Sequence, residues 1–369
     1  MKDRPAGSAC RAAAVAASRR LLLVGAFTVA AVLLVTGLNI AQQNNLDVQF
    51  HAFQDSRGVT VLSPDLAFNK DFSDRTAVRV KFGVDAISAA SDSCARCHPE
   101  GSNNGRVVFG VSGTRKYGDT KLTVGGEVSR EQFYAATTGQ VSLSRDLNKG
   151  NTTVASGFSY SLNRPQLHPA EESETQHSFD AFASVTQGWT KTTVTQFGYE
   201  LNQVNGFQTN PFLRTRVNNV MIIGNSPDTR TRHALTARIR QALPGKTVLE
   251  ADYRRYHDTW SIDSNAVSVG LSHRFGQKVL AGASYRQYDQ TAAYFYQPSY
   301  TGTPQYWTGD FRLFPFNSGN VSGKISITPE SRMFNMPEGT TLTVQYDRYN
   351  TNNGFTAGIL TAGFRVPLK

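Results

Sequence analysis

The sequence predicts an all-β chain: a transmembrane β-barrel of outer-membrane type, with about 16 antiparallel strands behind an N-terminal signal peptide. Three observations predict it. Segments of alternating apolar and polar residues recur along the chain, separated by short turns or polar loops, with no convincing amphipathic helix between them. Hydrophobic residues are only 39 %, yet there are 22 Phe, 14 Tyr and 31 Gly, a composition that suits alternating faces and aromatic girdles. The 369 residues exceed one ordinary sandwich core, and no composition break after residue 45 marks a second domain.

The N-terminus carries Lys2, Arg4, Arg11, Arg19 and Arg20, then 18 apolar residues, LLLVGAFTVAAVLLVTGL, then the polar AQQNN. This order reads as a signal peptide over residues 1–41, with cleavage near Ala41. The apolar run is also long enough for an uncleaved anchor, which stands as the alternative. Ser18, Arg19 and Arg20 faintly suggest twin-arginine export, but a barrel must travel unfolded, so the secretory pathway is expected. Cys10 precedes the apolar run and leaves with the signal. The formal charge is +10, of which +6 remains beyond residue 41. No Lys/Arg run or nucleic-acid module accompanies it, so it reads as a solvated basic lumen and loops, with no nucleic-acid partner.

Residues 42–369 divide into strands by alternation and turn chemistry. Val48 to Phe53 turns at Asp55 to Gly58 into Val59 to Phe68, and Asp71 to Asp74 leads to Val78 to Ile87. A polar loop, 88–105, precedes Val107 to Tyr117, Leu122 to Tyr134, Thr138 to Asp146 and Val154 to Leu162. The Pro/His/Glu-rich loop 164–176 follows, then Phe179 to Gln187 and Thr192 to Asn202. A long connection, 203–230, precedes Ala234 to Gln241. Lys246 to Thr259, KTVLEADYRRYHDT, is the clearest strand: Leu249, Ala251 and Tyr253 on one face oppose Glu250, Asp252 and Arg254 on the other. Val267 to Phe275 and Val279 to Gln290 come next, then the aromatic loop 291–318. Val321 to Ile327, Leu342 to Asn350 and Gly358 to Val366 complete the set.

With both termini inside, the four long loops all follow odd-numbered strands and so share the outer end; only Pro329 to Gly339 is long on the other side. Closure follows from backbone satisfaction, because an open sheet edge in hydrocarbon costs several kcal/mol per unpaired group. If Leu249, Ala251 and Tyr253 face lipid, then Glu250, Asp252 and Arg254 line the lumen. Arg79, Lys81, Asp85, Arg238, Arg240, Arg286, Lys324 and Asp347 share that parity. Such charges read as a solvated salt-bridge ladder or filter. A catalytic or substrate-binding cluster of Glu250, Asp252, Arg254, Asp258 and Arg286 is the less favoured reading, and no enzyme is expected. The chain ends Phe364 to Lys369 without the terminal aromatic common in barrels handled by the barrel assembly machinery, the expected partner along with outer-membrane lipid.

Several residues resemble a family of predicted outer-membrane barrels known as domain-of-unknown-function family 3570. They are Gly206, Phe207, Asn210, Pro211 and Arg214; Pro227, Thr229 and Arg230; Tyr253, Arg254, Tyr256, Asp258, Thr259, Trp260 and Ile262; Tyr285, Arg286, Tyr288, Gln290 to Ala293, Phe295 and Tyr296. Asp85, Ile87 and Ser88 also fit. The resemblance implies an outer-membrane barrel in a Gram-negative envelope and no activity, with at best a loose association with envelope redox proteins.

The first long loop contains Cys94, Ala95, Arg96, Cys97 and His98, the attachment pattern of c-type haem. Two thiols at that spacing bond the vinyl groups of one haem and the next residue offers an imidazole to the iron. His168, His177 and Met221, in or beside other loops, are candidates for the second axial ligand. A Cys94 to Cys97 disulfide is the competing reading in an oxidising compartment, and a metal site is a third, short of one ligand. Two functions are therefore expected. One is a barrel in envelope or extracellular electron transfer, carrying haem c and meeting a periplasmic or extracellular redox protein. The other is a porin-like barrel for small solutes with a structural disulfide.

Overall fold

The structure, a computed structural model, describes residues 44–88, 103–166, 173–210, 213–329 and 337–368. The expected signal peptide, the Cys94, Cys97 and His98 motif, and His168 lie outside these residues.

Alternation produces strands of 11 to 15 residues around the wall, longer than the 9–11 or so that span hydrocarbon. They are β1 (Asn44–Asp55), β2 (Thr60–Ser73), β3 (Thr76–Ser88), β4 (Asn103–Tyr117), β5 (Thr120–Glu131), β6 (Tyr134–Leu147), β7 (Thr152–Pro165), β8 (Gln176–Gly188) and β9 (Thr193–Gly206), then β12 (Thr229–Leu243), β13 (Thr247–Asp258), β14 (Asp263–Phe275), β15 (Val279–Gln290), β16 (Phe316–Ile327), β17 (Thr341–Thr351) and β18 (Thr356–Leu368). These sixteen strands, each antiparallel to its neighbours, close into one barrel. Closure is made by β1 and β18, paired from Asn44↔Leu368 to Asp55↔Ala357, with Leu46, Val48, Val366 and Leu368 buried together along the seam.

Many strands outrun the lengths that alternation marks. β9 continues to Gly206 and β12 starts at Thr229, because beyond the apolar belt both faces meet water and the period-two signal fades while the hydrogen-bond ladder persists.

The two faces differ as two solvents require. Phe109, Leu143, Phe197, Leu235, Val269 and Leu360 are exposed apolar residues of the outer face, and on the opposite parity the strands carry polar and charged side chains. Outward aromatic residues sit over glycines of neighbouring strands: a Cβ on Gly358 would lie 3.0 Å from the Tyr346 hydroxyl, and one on Gly319 3.2 Å from that of Tyr285.

The ends of the barrel are unequal. At one end the turns are short, as at Gly118 and Gly245, whose φ of 57° and 76° glycine adopts without strain; Thr328 to Thr340 is the longer exception there. At the other end finish β3, β7, β9 and β15, the strands that the long connections follow in sequence. The connection after β9 contains more than the sequence reading gave it: β10 (Arg214–Val217) and β11 (Val220–Ile223) form a separate hairpin. Its turn is Asn218 and Asn219, both at positive φ, and the missed signal is this Asn-Asn pair between two valines.

The hairpin loop and the loop 291–315 pack together as a cap. Asn225 and Trp307 exchange backbone hydrogen bonds of 2.8 and 3.0 Å, and Trp307 Nε1 donates to the Ile223 carbonyl at 2.8 Å. Tyr300 is 2 % exposed, and its hydroxyl accepts from the amides of Gln297 and Thr308. Trp260, Ile262, Ala293, Phe295 and Leu313 form the apolar core of this cap.

Candidate functional site

The interior wall carries cross-strand ion pairs. Arg238 bonds the Asp252 carboxylate and lies 3.5 Å from Glu250; Arg240 is 2.9 Å from Glu250 and Arg254 2.8 Å from Glu200. Across the barrel, Arg79 meets Asp47 at 4.0 Å, Lys81 meets Glu127 at 3.4 Å and Asp85 meets Arg106 at 3.6 Å. Asp347 accepts from Ser322, from Asn320 at 3.3 Å and from Gln345 at 2.9 Å. Lys324 lines a cavity of about 370 Å³ with Glu250 and Asp252. The ladder thus brings together Arg238, Arg240, Glu250 and Asp252, and leaves Arg79, Lys81 and Asp85 on another part of the wall.

The cap is anchored to the wall through one buried carboxylate. The Asp258 side chain is fully buried. Its Oδ1 accepts from the amides of Trp260 at 2.8 Å and Ile262 at 3.1 Å, and its Oδ2 from Arg230 and from the Tyr256 hydroxyl, each at 2.5 Å. Arg230 also lies over the Trp260 ring, 4.2 Å from its centroid, and Trp260 Nε1 donates to the Thr229 carbonyl. The Asp258 and Trp260 positions therefore hold the cap, and Asp258 is not free for chemistry.

Beneath the cap, β14 presents only small residues inward, Ser264, Ala266 and Ser268, between larger side chains of β13 and β15. The register sets Arg254 and Tyr288 on either side of Ala266, and Asp252 and Arg286 on either side of Ser268. The result is a trough of about 190 Å³ lined by Arg230, Arg254, Arg286, Arg312, Tyr256 and Tyr288. Next to it, about 600 Å³ opens between Arg286, Tyr288, Phe316, Tyr349, Phe355 and Phe53, with Asp347 and Asn320 also on its lining. Arg286 and Tyr288 line both chambers. On the cap side a third space of about 310 Å³ is lined by Arg230, Arg232, Arg312 and Asp310. The Asp310 carboxylate, hydrogen-bonded to Arg312, holds that guanidinium above its ordinary range, so it stays cationic.

Sequence reading missed the device that builds this wall, a repeat on alternate strands. Tyr253, Arg254 and Tyr256 on β13, with Thr259 just past its end, recur as Tyr285, Arg286 and Tyr288 on β15, with Thr291 just past its end, and Tyr346, Asp347 and Tyr349 follow the same spacing on β17. The contacts repeat as well. Tyr256 donates to Asp258 and Tyr288 to Gln290, at 2.5 and 2.7 Å. Thr259 accepts from the Thr231 amide and Thr291 from that of Asp263. Period two explains it: the first tyrosine faces out, and the residues one and three later face in.

Of the haem-related residues, two are described. His177 is bonded through Nδ1 to the Tyr160 hydroxyl at 2.7 Å and stacks on that ring, on the outer face of β7 and β8. Met221 is half exposed on β11. Neither sits on a strand adjacent to β3 or β4. Among the described residues no group of three His, Cys, Asp or Glu is placed to hold a metal ion.

A closed sixteen-stranded barrel, apolar outside and charged within, defines an outer-membrane β-barrel protein. The chain belongs to the family described as "Protein of unknown function (DUF3570)", which matches residues 164–362. A search of curated proteins finds no match. Among solved structures, the chain is similar to a mutant ferric enterobactin receptor, PfeA, of Pseudomonas aeruginosa, with 13 % identity, a TM-score of 0.46, and coverage of 85 % of this chain and 54 % of that one. It is similar also to the outer-membrane protein OpdK of the same organism, solved with vanillate, with 8 % identity, a TM-score of 0.47, and coverage of 88 % and 98 %. The chain thus spans about half the length of the enterobactin receptor.

Proposed function

We propose that this protein is a channel for small hydrophilic solutes, exported by the secretory pathway with residues 1–41 as its signal and inserted by the barrel assembly machinery. The observation that carries the reading is the wall beneath the cap, where consecutive chambers bearing Glu250, Asp252, Arg254, Arg286, Lys324 and Asp347 run from β13 to β1 inside a barrel of sixteen strands. Barrels of 16 or so strands are wide enough to hold a column of water. Cys94 and Cys97 form a disulfide in this reading. Purified protein added to a planar bilayer is expected to give stepwise conductance increases in KCl; a barrel that inserts and gives no steps overturns the proposal.

One observation favours a second reading, envelope electron transfer: Ser88 and Asn103, which flank Cys94, Cys97 and His98 in sequence, pair at the end of the barrel that carries the cap. A haem c bound through the two thiols, with His98 on its iron, would exchange single electrons there with a periplasmic or extracellular redox protein. Expression with the cytochrome c maturation system should then give a haem-staining band that survives denaturation and disappears in Cys94→Ala. An unstained band sinks this reading and leaves the first intact.

A further inference from the structure

We propose that the chamber between β15 and β1 binds a small aromatic carboxylate, its carboxylate on Arg286 and its ring among Phe316, Tyr349 and Phe355. The proposal rests on the channel reading, for which it names the class of solute.

Charge matching singles out Arg286. Of the arginines around the trough, Arg230 is engaged by Asp258, Arg254 by Glu200 and Arg312 by Asp310. Arg286 has no carboxylate within 4.0 Å among the described residues, and its guanidinium carbon lies 5.8 Å from the centroid of the Tyr288 ring. The acid flanking it across β14, Asp252, is taken by Arg238. The acid in its own chamber, Asp347, already accepts from Ser322, Asn320 and Gln345. A guanidinium fork without an acid beside a cavity is suited to bidentate carboxylate capture.

Apart from Arg286, Ser318, Asn320 and Asp347, the chamber is lined by aromatic and apolar side chains, which selects what the carboxylate is attached to. Phe316 packs on Tyr288 with centroids 5.5 Å apart, and Phe355 meets Tyr349 edge-on at 6.1 Å. Above them, Arg57 lies over Phe355 and Phe311, 5.2 and 4.6 Å from the ring centroids. Small residues make the space: Ser318 and Ala357 are buried at its edge. Aromatic walls favour an aromatic guest in offset or edge-on geometry. The volume, about 600 Å³, falls in the range of small-molecule sites, roughly 300–1,000 Å³. Asp347 on the lining disfavours a dianion, so the solute carries one negative charge.

Isothermal calorimetry on the detergent-solubilised protein, with benzoate as probe, tests this. Benzoate is expected to bind at least tenfold more tightly than acetate or benzyl alcohol. Arg286→Gln should weaken benzoate at least tenfold, and Phe316→Ala should weaken it while leaving acetate unchanged. Arg286→Lys, which keeps the charge and loses the fork, should fall between wild type and Arg286→Gln. Retained heat-modifiable gel mobility certifies each barrel as folded. Equal affinities for benzoate and acetate, no benzoate binding, or an unchanged affinity in folded Arg286→Gln overturns the inference. Binding is read without flux, so a barrel that conducts and ignores benzoate sinks the site alone. One that binds benzoate and never conducts sinks the channel and keeps the site.

Discussion

Asp258→Ala should loosen the cap and cost about 3–5 kcal/mol, the range for removing one member of a buried ion pair. The carboxylate is fully buried and holds five donors: the amides of Trp260 and Ile262, two N–H groups of Arg230 and the Tyr256 hydroxyl. Without it Arg230, itself mostly buried, keeps its charge against the Trp260 ring with no counter-ion. The core of Trp260, Phe295 and Leu313 is tied through this turn, so the loop 291–315 should become cleavable by protease while the wall stays folded. Asp263→Ala is the comparison. Its partner Arg255 lies as close, at 2.5 Å, yet both are well exposed, so the loss should stay within about 1 kcal/mol. Denaturant melts in detergent and limited proteolysis measure both. Equal losses in the two variants would mean that the cap is not held by Asp258.

The barrel was legible because one face meets lipid and the other water, which writes period two into each crossing. Lys246 to Thr259 shows it: Leu249 and Tyr253 face out, and Glu250, Asp252 and Arg254 join the interior network. The extramembrane ends of β9 and β12 were not legible, since with water on both sides no alternation is required of them. The hairpin at Arg214–Ile223 is too short for a periodic signal, and only Asn218 and Asn219 betray it. Of the candidate site, Arg254 and Arg286 were legible from parity and from the family resemblance. What parity cannot give is which neighbours share a row, since that depends on register. Arg286 and Phe316 come together only because β15 and β16 pair with Gln290 opposite Phe316 and Arg286 opposite Asn320. Phe53, from the other end of the chain, arrives by barrel closure. Asp258, which looked like part of a charged lumen cluster, is instead the anchor of the cap, a role fixed by the turn that follows it.

Reversing two charges, Arg254→Glu with Arg286→Glu, should invert the ion preference of the channel. In the wild type the two spaces flanking Arg230 and Arg312 hold five guanidinium groups, those of Arg230, Arg232, Arg254, Arg286 and Arg312. Their paired carboxylates number three, Glu200, Asp258 and Asp310. An excess of fixed positive charge on a wall of low polarisability raises the local anion concentration, so the wild type should prefer chloride over potassium. The double variant has three guanidinium groups against five carboxylates, and its reversal potential under a KCl gradient should change sign. The permeability ratio should shift at least tenfold, about 1.4 kcal/mol. Salt sets the conditions: the Debye length is roughly 10 Å at 0.1 M and 3 Å at 1 M, so the inversion should be large in dilute KCl and shrink in concentrated KCl. Arg115→Glu is the comparison, because Arg115 sits over the Tyr117 ring at the short-turn end of β4; it should leave the sign unchanged. A double variant that conducts with the wild-type sign would mean that ions cross along the opposite wall, past Lys81 and Asp85, and that the arginines under the cap serve binding without lining the ion path.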